Sequence, residues 1–284
     1  SNLKTSEFCS YFLRQKTEFL MKLVRKGKIS YLQPTQLPAD ITAGFSTRNG
    51  GVSRPPYNSL NMGLGTADQP TNVEGNRSSF VRAFELSPHQ LLTAKQVHGD
   101  DILLIDEDNP DLSHFLSVEV DAIVTNQPEI MIGVLTADCF PLLIWHENKK
   151  VIAAIHAGWR GAANGLIAKM IQTIHTHFNC PAEELHAAIG PGIGAHSYEV
   201  DRPVRDAFRQ GSGFWKEISK ETRLGHWHLD IPLSCRLQLE QSRLKPQNIE
   251  TAKECTCCHP ELFFSHRRDN GQTGRQISFL KISK

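Results

Sequence analysis

The sequence predicts an α+β (mixed α/β) fold within a single domain. Short β-prone runs separated by Gly and Pro follow one another, with helices beside them and no strict βαβ alternation. The 284 residues contain no internal repeat, no low-complexity tract and no stretch that marks a linker. Hydrophobic residues make up 39% of the chain and charged residues 21%, as is ordinary for a soluble globular protein with one large core.

The first predicted element is an amphipathic helical extension over residues 1–27. Its apolar residues recur at helical spacing: Phe12, Phe19, Leu20 and Leu23. Charges are scattered through this stretch and interrupt every apolar run, so it is a poor signal peptide. The single domain is then expected to occupy residues 28–284.

From residue 41 onward the chain alternates between β-prone runs and amphipathic segments. The Gly- and Pro-rich stretch at 44–65 predicts ordered loop, and 72–84 predicts a helix. The strands that follow are predicted at Leu91–Val97, Asp101–Ile105, Ala122–Thr125, Ile130–Leu135, Leu142–His146, Val151–His156 and Leu185–Ile189. The clearest helix is Ala162–Phe178, and further helices are predicted near Val200–Arg209 and Leu233–Gln241.

Net charge, hydropathy and cysteine count limit the protein's surroundings and partners. The formal net charge of +1 excludes a strong overall field toward nucleic acid or a membrane surface. No apolar run approaches the roughly 20 residues that span a bilayer. Seven cysteines, an odd number in a long chain, favour reduced thiols over a disulfide framework. We therefore expect a cytoplasmic protein that binds neither nucleic acid nor membrane.

A predicted hairpin brings a cysteine and a histidine together. In an antiparallel hairpin the residue numbers of two opposed positions always add up to the same value. A tight turn places His146 opposite Val151, which fixes that value. His156 then lies opposite position 141, within roughly two residues of Cys139, each residue adding about 3.3 Å along the strand. The thiol and the imidazole therefore meet at the open end of the hairpin. The small residues that follow His156 would let the backbone approach a ligand.

Such a pair has more than one interpretation. It is compatible with a nucleophilic thiolate beside its base, or with two of three zinc ligands that leave a fourth position open. It is also compatible with a buried cysteine and a hydrogen-bonded histidine. His98 stands at the end of another β-prone run, and a Cys plus two-His set is typical of catalytic zinc more than structural zinc.

Five motifs in fixed order carry a family resemblance. They are "KQVHGD", "TADCFPL", "HAGWRG", "GPGIG…SYEV" and "FFSHRRDNGQTGR". From about Gly44 to Leu280 the chain resembles the family once called multicopper polyphenol oxidases or bacterial laccases. Its members are now described as zinc-dependent purine nucleoside phosphorylases, and the family is also named for peptidoglycan editing. The sequence departs from the family pattern in "LGTADQP" and at 195–197, where Ala-His-Ser replaces Pro-Cys-Cys.

The resemblance implies a single catalytic domain with an α/β/β/α core similar to that of a deamidating bacterial toxin. It implies a zinc ion bound by His98, Cys139 and His156, the same three residues being catalytic, with purine nucleosides above it. The implied reaction is phosphorolysis of adenosine, inosine and guanosine by inorganic phosphate, with methylthioadenosine as a further candidate substrate and adenosine deamination as a side activity. The cations that we place near phosphate are Arg48, Arg77 and Arg160. Copper is expected only as an adventitious metal, since it outcompetes zinc for most ligands.

Two other activities remain open. One is a cysteine-nucleophile hydrolase or amidase that acts on a peptidoglycan precursor, with Cys139 as the nucleophile. The weaker one is a copper polyphenol oxidase, which needs a copper cluster built by several His-x-His pairs. The chain has two such spacings, 175–177 and 226–228. The first falls in a predicted helix, where positions i and i+2 point about 200° apart.

Three further groups have competing interpretations. The cluster of Cys255, Cys257, Cys258 and His259 favours a structural or redox role over a metal site. The run 265–269 either presents guanidinium groups to phosphate or forms a salt-bridged turn. Asp121 is either a motif acid or a cap at a strand start, and Asp138 either orients a ligand histidine or holds its loop.

Overall fold

A computed structural model describes residues 21–93 and 95–283 and contains two six-stranded sheets that face each other. The first sheet has the order β1 (Lys22–Lys26), β2 (Ile29–Gln33), β3 (Ile41–Ser46), β15 (Gln276–Ile282), β7 (Met131–Thr136) and β4 (Leu91–Leu92). The second has the order β14 (Ile249–Thr251), β10 (His186–Ile189), β8 (Phe140–His146), β9 (Val151–Ala157), β6 (Ala122–Thr125) and β5 (Ile102–Ile105). A small third sheet has the order β11 (Glu199–Val200), β13 (His226–Leu229) and β12 (Ser219–Arg223).

Six α-helices flank the sheets in the part of the chain that is described. They are α1 (Pro70–Ala83), α2 (Trp159–Ala163), α3 (Leu166–Phe178), α4 (Arg202–Gln210), α5 (Trp215–Ile218) and α6 (Ile231–Gln241). Within the same residues, no helix is both long enough and apolar enough to cross a membrane.

Alternating side chains along the central strands build the layers. In β7, Ile132 and Val134 face the second sheet, whereas Met131 packs with Phe80 of α1 on the opposite side. In β9, Ile152 and Ala154 face the first sheet, and their neighbours pack against α3 and α6. Successive strand residues point to opposite faces, so each central strand contributes to two cores. The result is the expected mixed α+β fold with an α/β/β/α arrangement.

The N-terminal helix prediction is wrong for the part that is described. Residues 22–26 form β1, which pairs with β2 in a hairpin from Lys22 opposite Gln33 to Lys26 opposite Ile29. Gly27 lies in the two-residue turn at φ +61°, a conformation that costs glycine little. Pairing with β2 thus overrides the helical spacing around Leu23. Residues 1–20, which include Phe12, Phe19 and Leu20, lie outside the described residues.

Two other predicted elements are shorter or divided. The predicted helix 162–178 is two helices, α2 and α3, because Gly165 at φ +83° interrupts the helical backbone between them. The predicted strand 91–97 pairs only at β4, with an isolated bridge at Lys95. The chain leaves the first sheet there and delivers His98 to the second.

The predicted hairpin register is confirmed. Strands β8 and β9 are antiparallel, with His146 opposite Val151 and Pro141 opposite His156. β9 also pairs with β6 on its other side, where Ala122 lies opposite Ile155. The beginning of β8, the end of β9 and the beginning of β6 therefore lie at one edge of the second sheet.

Candidate metal centre

Three predicted residues meet at this edge of the second sheet. Cys139 immediately precedes β8, His156 lies near the end of β9, and His98 enters on the loop after β4. The His98 Nε2 atom lies 3.9 Å from the Cys139 Sγ atom. One nitrogen or sulfur atom from each of the three residues lies within 4.8 Å of the other two. The structure therefore brings together the complete set that the sequence predicts.

The Asp121 side chain holds His98 and His156 in position through hydrogen bonds. Its buried carboxylate accepts a hydrogen bond at 2.7 Å from Nδ1 of His156 and bonds from the backbone N–H groups of Val97, His98 and Gly99. An ionised carboxylate only accepts, so Nδ1 of His156 carries a proton and Nε2 is the nitrogen that faces the site. The Asp121 carboxylate, just before β6, therefore holds both the loop at 97–99 and the His156 ring, and orienting a ligand histidine is the role that the sequence analysis considered for Asp138.

The charges of the site favour a thiolate. Burial raises the pKa of the Cys139 thiol, but the neighbouring His156 and His98 more than offset it and lower the pKa to about 6. Burial lowers the pKa of His156, while Cys139 and Asp121 act in the opposite direction and bring it to about 9. Cys139 is therefore largely deprotonated near neutral pH, which is the form that either a metal or a nucleophilic reaction requires.

Gly158 makes room for the three side chains. A Cβ atom at this position would lie 3.1 Å from Cδ2 of His98 and 3.6 Å from Sγ of Cys139. Gly161, in the next turn, would place a Cβ atom 2.8 Å from the carbonyl oxygen of Gly99. The glycines of "HAGWRG" therefore allow α2 to begin directly against the site and against the loop that carries His98.

Arg77 and Arg160 differ in their surroundings. Arg77 donates to the Met62 carbonyl at 3.1 Å and to Oγ1 of Thr93 at 2.9 Å, and burial lowers the pKa of its guanidinium to about 10. Both partners are uncharged, so an anion would complement this group. Arg160 is exposed in the first turn of α2, with its guanidinium carbon 4.4 Å from the ring centre of Trp159.

The third predicted cation, Arg48, serves as an anchor within the 44–65 loop. Its guanidinium donates to the backbone oxygens of Asn58 at 2.7 Å and of Pro260 at 3.0 Å, and lies over the ring of Phe264. These contacts join the loop to the chain just before β15. A role for Arg48 toward phosphate stays a prediction.

Tyr198 and Arg275 also interact electrostatically with Cys139, although neither was predicted from the sequence as a site residue. Burial and the Cys139 sulfur raise the pKa of Tyr198, while Arg267 and Arg160 act against the shift. Burial lowers the pKa of Arg275, and Cys139 and Asp138 act in the opposite direction. The only sequence signal for them is their position inside the motifs "SYEV" and "TGR".

Asp138 and the 265–269 segment form one polar network beside the site. Oδ1 of Asp138 accepts from the Thr256 hydroxyl at 2.6 Å, and Oδ2 accepts from the Arg267 backbone N–H at 2.7 Å. Neither bond involves a histidine, so Asp138 holds its loop, as the second interpretation predicted. Arg268 pairs with Asp269 at 2.8 Å and donates to the Thr256 carbonyl, which is the salt-bridged turn.

The His-x-His pairs do not assemble a cluster in the part of the chain that the structure describes. Residues 175 and 177 lie in α3, and residues 226 and 228 in β13. Two groups of three or more His, Cys, Asp or Glu residues have ligand atoms within 4.8 Å of one another there. The first is His98, Cys139 and His156, and the second is His196, Cys255 and Cys258.

The chain is similar over most of its length to proteins of known sequence and structure. The chain is 34% identical over 251 residues to the purine nucleoside phosphorylase YlmD of Geobacillus stearothermophilus, covering 85% of this chain and 90% of that protein. It is 36% identical over 247 residues to the purine nucleoside phosphorylase YfiH of Shigella flexneri, covering 86% and 95%. The crystal structure of a hypothetical protein YfiH from Bacillus licheniformis matches with a TM-score of 0.86 at 30% identity, covering 92% and 98%. A family model described as multi-copper polyphenol oxidoreductase laccase matches residues 42–283, and the chain therefore belongs to that family.

Proposed function

We propose that the protein is a zinc-dependent purine nucleoside phosphorylase. The observation that carries this proposal is the convergence of His98, Cys139 and His156, in a chain that also holds a half-buried arginine, Arg77, whose hydrogen-bond partners are uncharged. The chain therefore contains both a set of ligands for a Lewis-acidic metal ion and a positively charged side chain that can bind an anionic substrate. The relatives named purine nucleoside phosphorylases support the same assignment.

The three ligand side chains fit zinc. One thiolate and two imidazoles are ligands that zinc prefers, and three protein ligands leave a fourth position open. Asp121 fits the same role, because a carboxylate on the far nitrogen of a ligand histidine fixes its tautomer and orientation. Zinc held by these residues would act as a Lewis acid toward an oxygen or nitrogen of the substrate. Copper can occupy the same ligands as an adventitious metal.

In the proposed reaction an oxygen of inorganic phosphate forms a bond to C1′ of the ribose. The glycosidic bond from C1′ to the purine breaks, its electrons pass to the base, and the base takes up a proton. The products are free base and ribose 1-phosphate. Arg77 and Arg160 bind and orient phosphate, since guanidinium groups pair with phosphate oxygens in a fork geometry. Tyr198, whose pKa is raised, keeps its hydroxyl proton and donates a hydrogen bond to the bound nucleoside.

The proposed substrates are adenosine, inosine and guanosine, with methylthioadenosine as a further candidate. Deamination of adenosine is a proposed side activity, in which water adds to C6 and ammonia leaves. We place the activity in the cytoplasm. The described cysteines are free thiols, as a reducing compartment requires: Cys139, Cys180, Cys235, Cys255, Cys257 and Cys258.

A product assay tests the phosphorylase directly. Purified protein is incubated with inosine or adenosine, with and without inorganic phosphate, and bases and ribose 1-phosphate are measured. We expect base release only with phosphate, equimolar ribose 1-phosphate, and loss of activity in Cys139→Ser. Cys257→Ser, which changes a thiol outside the ligand set, is the matched control. Base release without phosphate would indicate a hydrolase instead.

A cysteine-nucleophile hydrolase is the second candidate, because Cys139, His156 and Asp121 also form a thiolate–imidazole–carboxylate array. A thiolate bound to zinc reacts slowly with iodoacetamide, whereas a free one with a pKa of about 6 reacts quickly near neutral pH. The phosphorylase proposal therefore expects that Cys139 resists brief alkylation until a chelator removes the metal. Peptide mass spectrometry locates the modified thiol. Rapid labelling of Cys139 in zinc-loaded protein, with activity lost in step, would favour the hydrolase.

A further inference from the structure

We propose that His196, Cys255 and Cys258 form a second zinc site, separate from the one at Cys139. The three residues come from two distant parts of the chain: the short turn Ala195–Ser197 and the segment after β14. One ligand atom from each lies within 4.8 Å of the other two. The proposal concerns metal binding alone; only the zinc expected at the first site in the test below rests on the proposed function.

The two cysteines have the spacing and backbone conformation of a zinc-binding turn. Cys255 and Cys258 are separated by two residues, the usual spacing of paired zinc ligands. The Cys258 N–H donates to the Cys255 carbonyl at 3.1 Å, which closes a turn and places both thiols on one side. The Gly194 N–H donates to Sγ of Cys255 at 3.2 Å, and a backbone donor of this kind stabilises a thiolate.

His196, which sequence spacing does not place near the cysteines, is directed at this turn and favours a metal site over the structural or redox role predicted for the cysteine cluster. Nε2 of His196 lies 3.0 Å from Sγ of Cys258. A Cβ atom on Gly194 would lie 2.8 Å from Cε1 of His196 and 3.3 Å from Cβ of Cys255, so glycine is needed for the imidazole to lie against the buried cysteine. The adjacent backbone is fixed as well, because the Thr256 N–H donates to the Gly192 carbonyl at 2.9 Å.

The chemistry of the three ligands selects the ion. Thiolates and imidazoles bind zinc well and bind magnesium or calcium poorly, because the latter two prefer oxygen. Cys255 is buried, whereas Cys258 and His196 are exposed, so an ion can enter and water can fill the fourth position. Two cysteines at this spacing can also form a disulfide, but a disulfide would not explain why His196 lies so close to Cys258.

The second site is joined to the first by side-chain contacts. Thr256, between the two cysteines, donates to Asp138, which immediately precedes Cys139. On the histidine side, the Ser197 carbonyl accepts from the Arg267 guanidinium at 3.4 Å, and that guanidinium lies over the ring of Tyr198. Zinc at the second site would therefore hold Tyr198 and Thr256 at fixed positions beside the proposed substrate site.

Metal content of reduced, zinc-loaded full-length protein, measured after removal of free metal, tests the proposal. We expect about two zinc ions per chain, from two sites of three protein ligands each. Cys258→Ser and His196→Gln should each retain about one, as should Cys139→Ser, and the double variant Cys139→Ser with Cys258→Ser should retain almost none. Cys257→Ser is the matched control and should keep both.

Cobalt substitution gives a second measure that does not depend on activity. A cobalt–thiolate bond has a charge-transfer absorption, which Cys139→Ser protein should retain and the double variant should lose. Circular dichroism verifies that each variant is folded. Two zinc ions in folded Cys258→Ser and His196→Gln, or loss of zinc in Cys257→Ser but not in Cys258→Ser, would overturn the ligand assignment. An intact mass that shows a Cys255–Cys258 disulfide resistant to mild reduction, with only one zinc bound, would establish a redox pair instead.

Discussion

Asp121 shows how one buried side chain can organise a site made of distant segments. Its carboxylate accepts from the imidazole of His156 and from three consecutive backbone N–H groups at 97–99. Burial raises the pKa of Asp121, yet the hydrogen bonds from His156 and Gly99 outweigh burial and lower it. The carboxylate therefore remains ionised and keeps His98 and His156 in position.

Replacing this carboxylate should weaken metal binding. Asp121→Asn keeps the size of the side chain but loses the charge, and its amide N–H₂ cannot accept from the groups that now donate to it. We expect zinc affinity to fall by about 10- to 100-fold, the usual effect of removing a partner of a ligand histidine. Competition with a chromophoric chelator measures the affinity. Asp206→Asn, in a half-exposed pair with Arg205, is the control, and an equal loss there would argue against a specific role for Asp121.

Arg77 tests the phosphate side of the proposal at the same scale. Arg77→Met preserves much of the side-chain volume and removes a charge whose partners are both neutral. Hydrogen bonds to a charged group contribute about 1.5 to 3 kcal/mol, so KM for phosphate should rise roughly ten- to hundredfold. Zinc content should stay unchanged. Arg82→Met changes an exposed arginine on the same helix, and the idea fails if both variants have the KM of the parent protein.

At the scale of elements, the sequence predicted the features that depend on residues close together in the chain, and it missed those that depend on distant contacts. The hairpin register followed from the apolar runs and the short turn, and it places Pro141 opposite His156 as expected. The strand predicted from Leu91 ended early, because the backbone N–H groups after it bond to the Asp121 carboxylate instead of a strand. The helix over 162–178 was predicted whole since its apolar spacing continues through Gly165, although the backbone there is left-handed.

Two glycines in helical surroundings should respond to alanine in opposite directions. Gly165→Ala would place a side chain at φ +83° with nothing within 4 Å, so the cost is conformational, on the order of 1 kcal/mol. Gly75 lies inside α1, and its Cβ would meet only Val52 at 3.7 Å, an ordinary contact. Gly75→Ala should therefore stabilise the fold by roughly 0.5 to 1 kcal/mol. Urea unfolding measures both, and an equal shift in one direction would contradict this account.

At the scale of the whole molecule, the site depends on contacts that no sequence window contains. His98, Cys139 and His156 could be grouped because each stands at the end of a β-prone run. Tyr198 and Arg275 interact electrostatically with Cys139 although they belong to segments far from it along the chain, after β10 and before β15. The pairing of His196 with Cys258 likewise joins positions 62 residues apart. Side-chain spacing along the chain carries no signal for such contacts.

Zinc should therefore stabilise the entire domain, since its proposed ligands join the loop at His98 to two central strands. A ligand that binds only the folded state adds about 2.7 kcal/mol at 100 times its Kd, and for a chain of this size that raises Tm by roughly 5 °C. We expect this rise when zinc is added to metal-free Cys258→Ser protein, which isolates the first site. The same addition to the Cys139→Ser, Cys258→Ser double variant should leave Tm unchanged. Differential scanning calorimetry measures both, and equal rises would mean that zinc binds without Cys139.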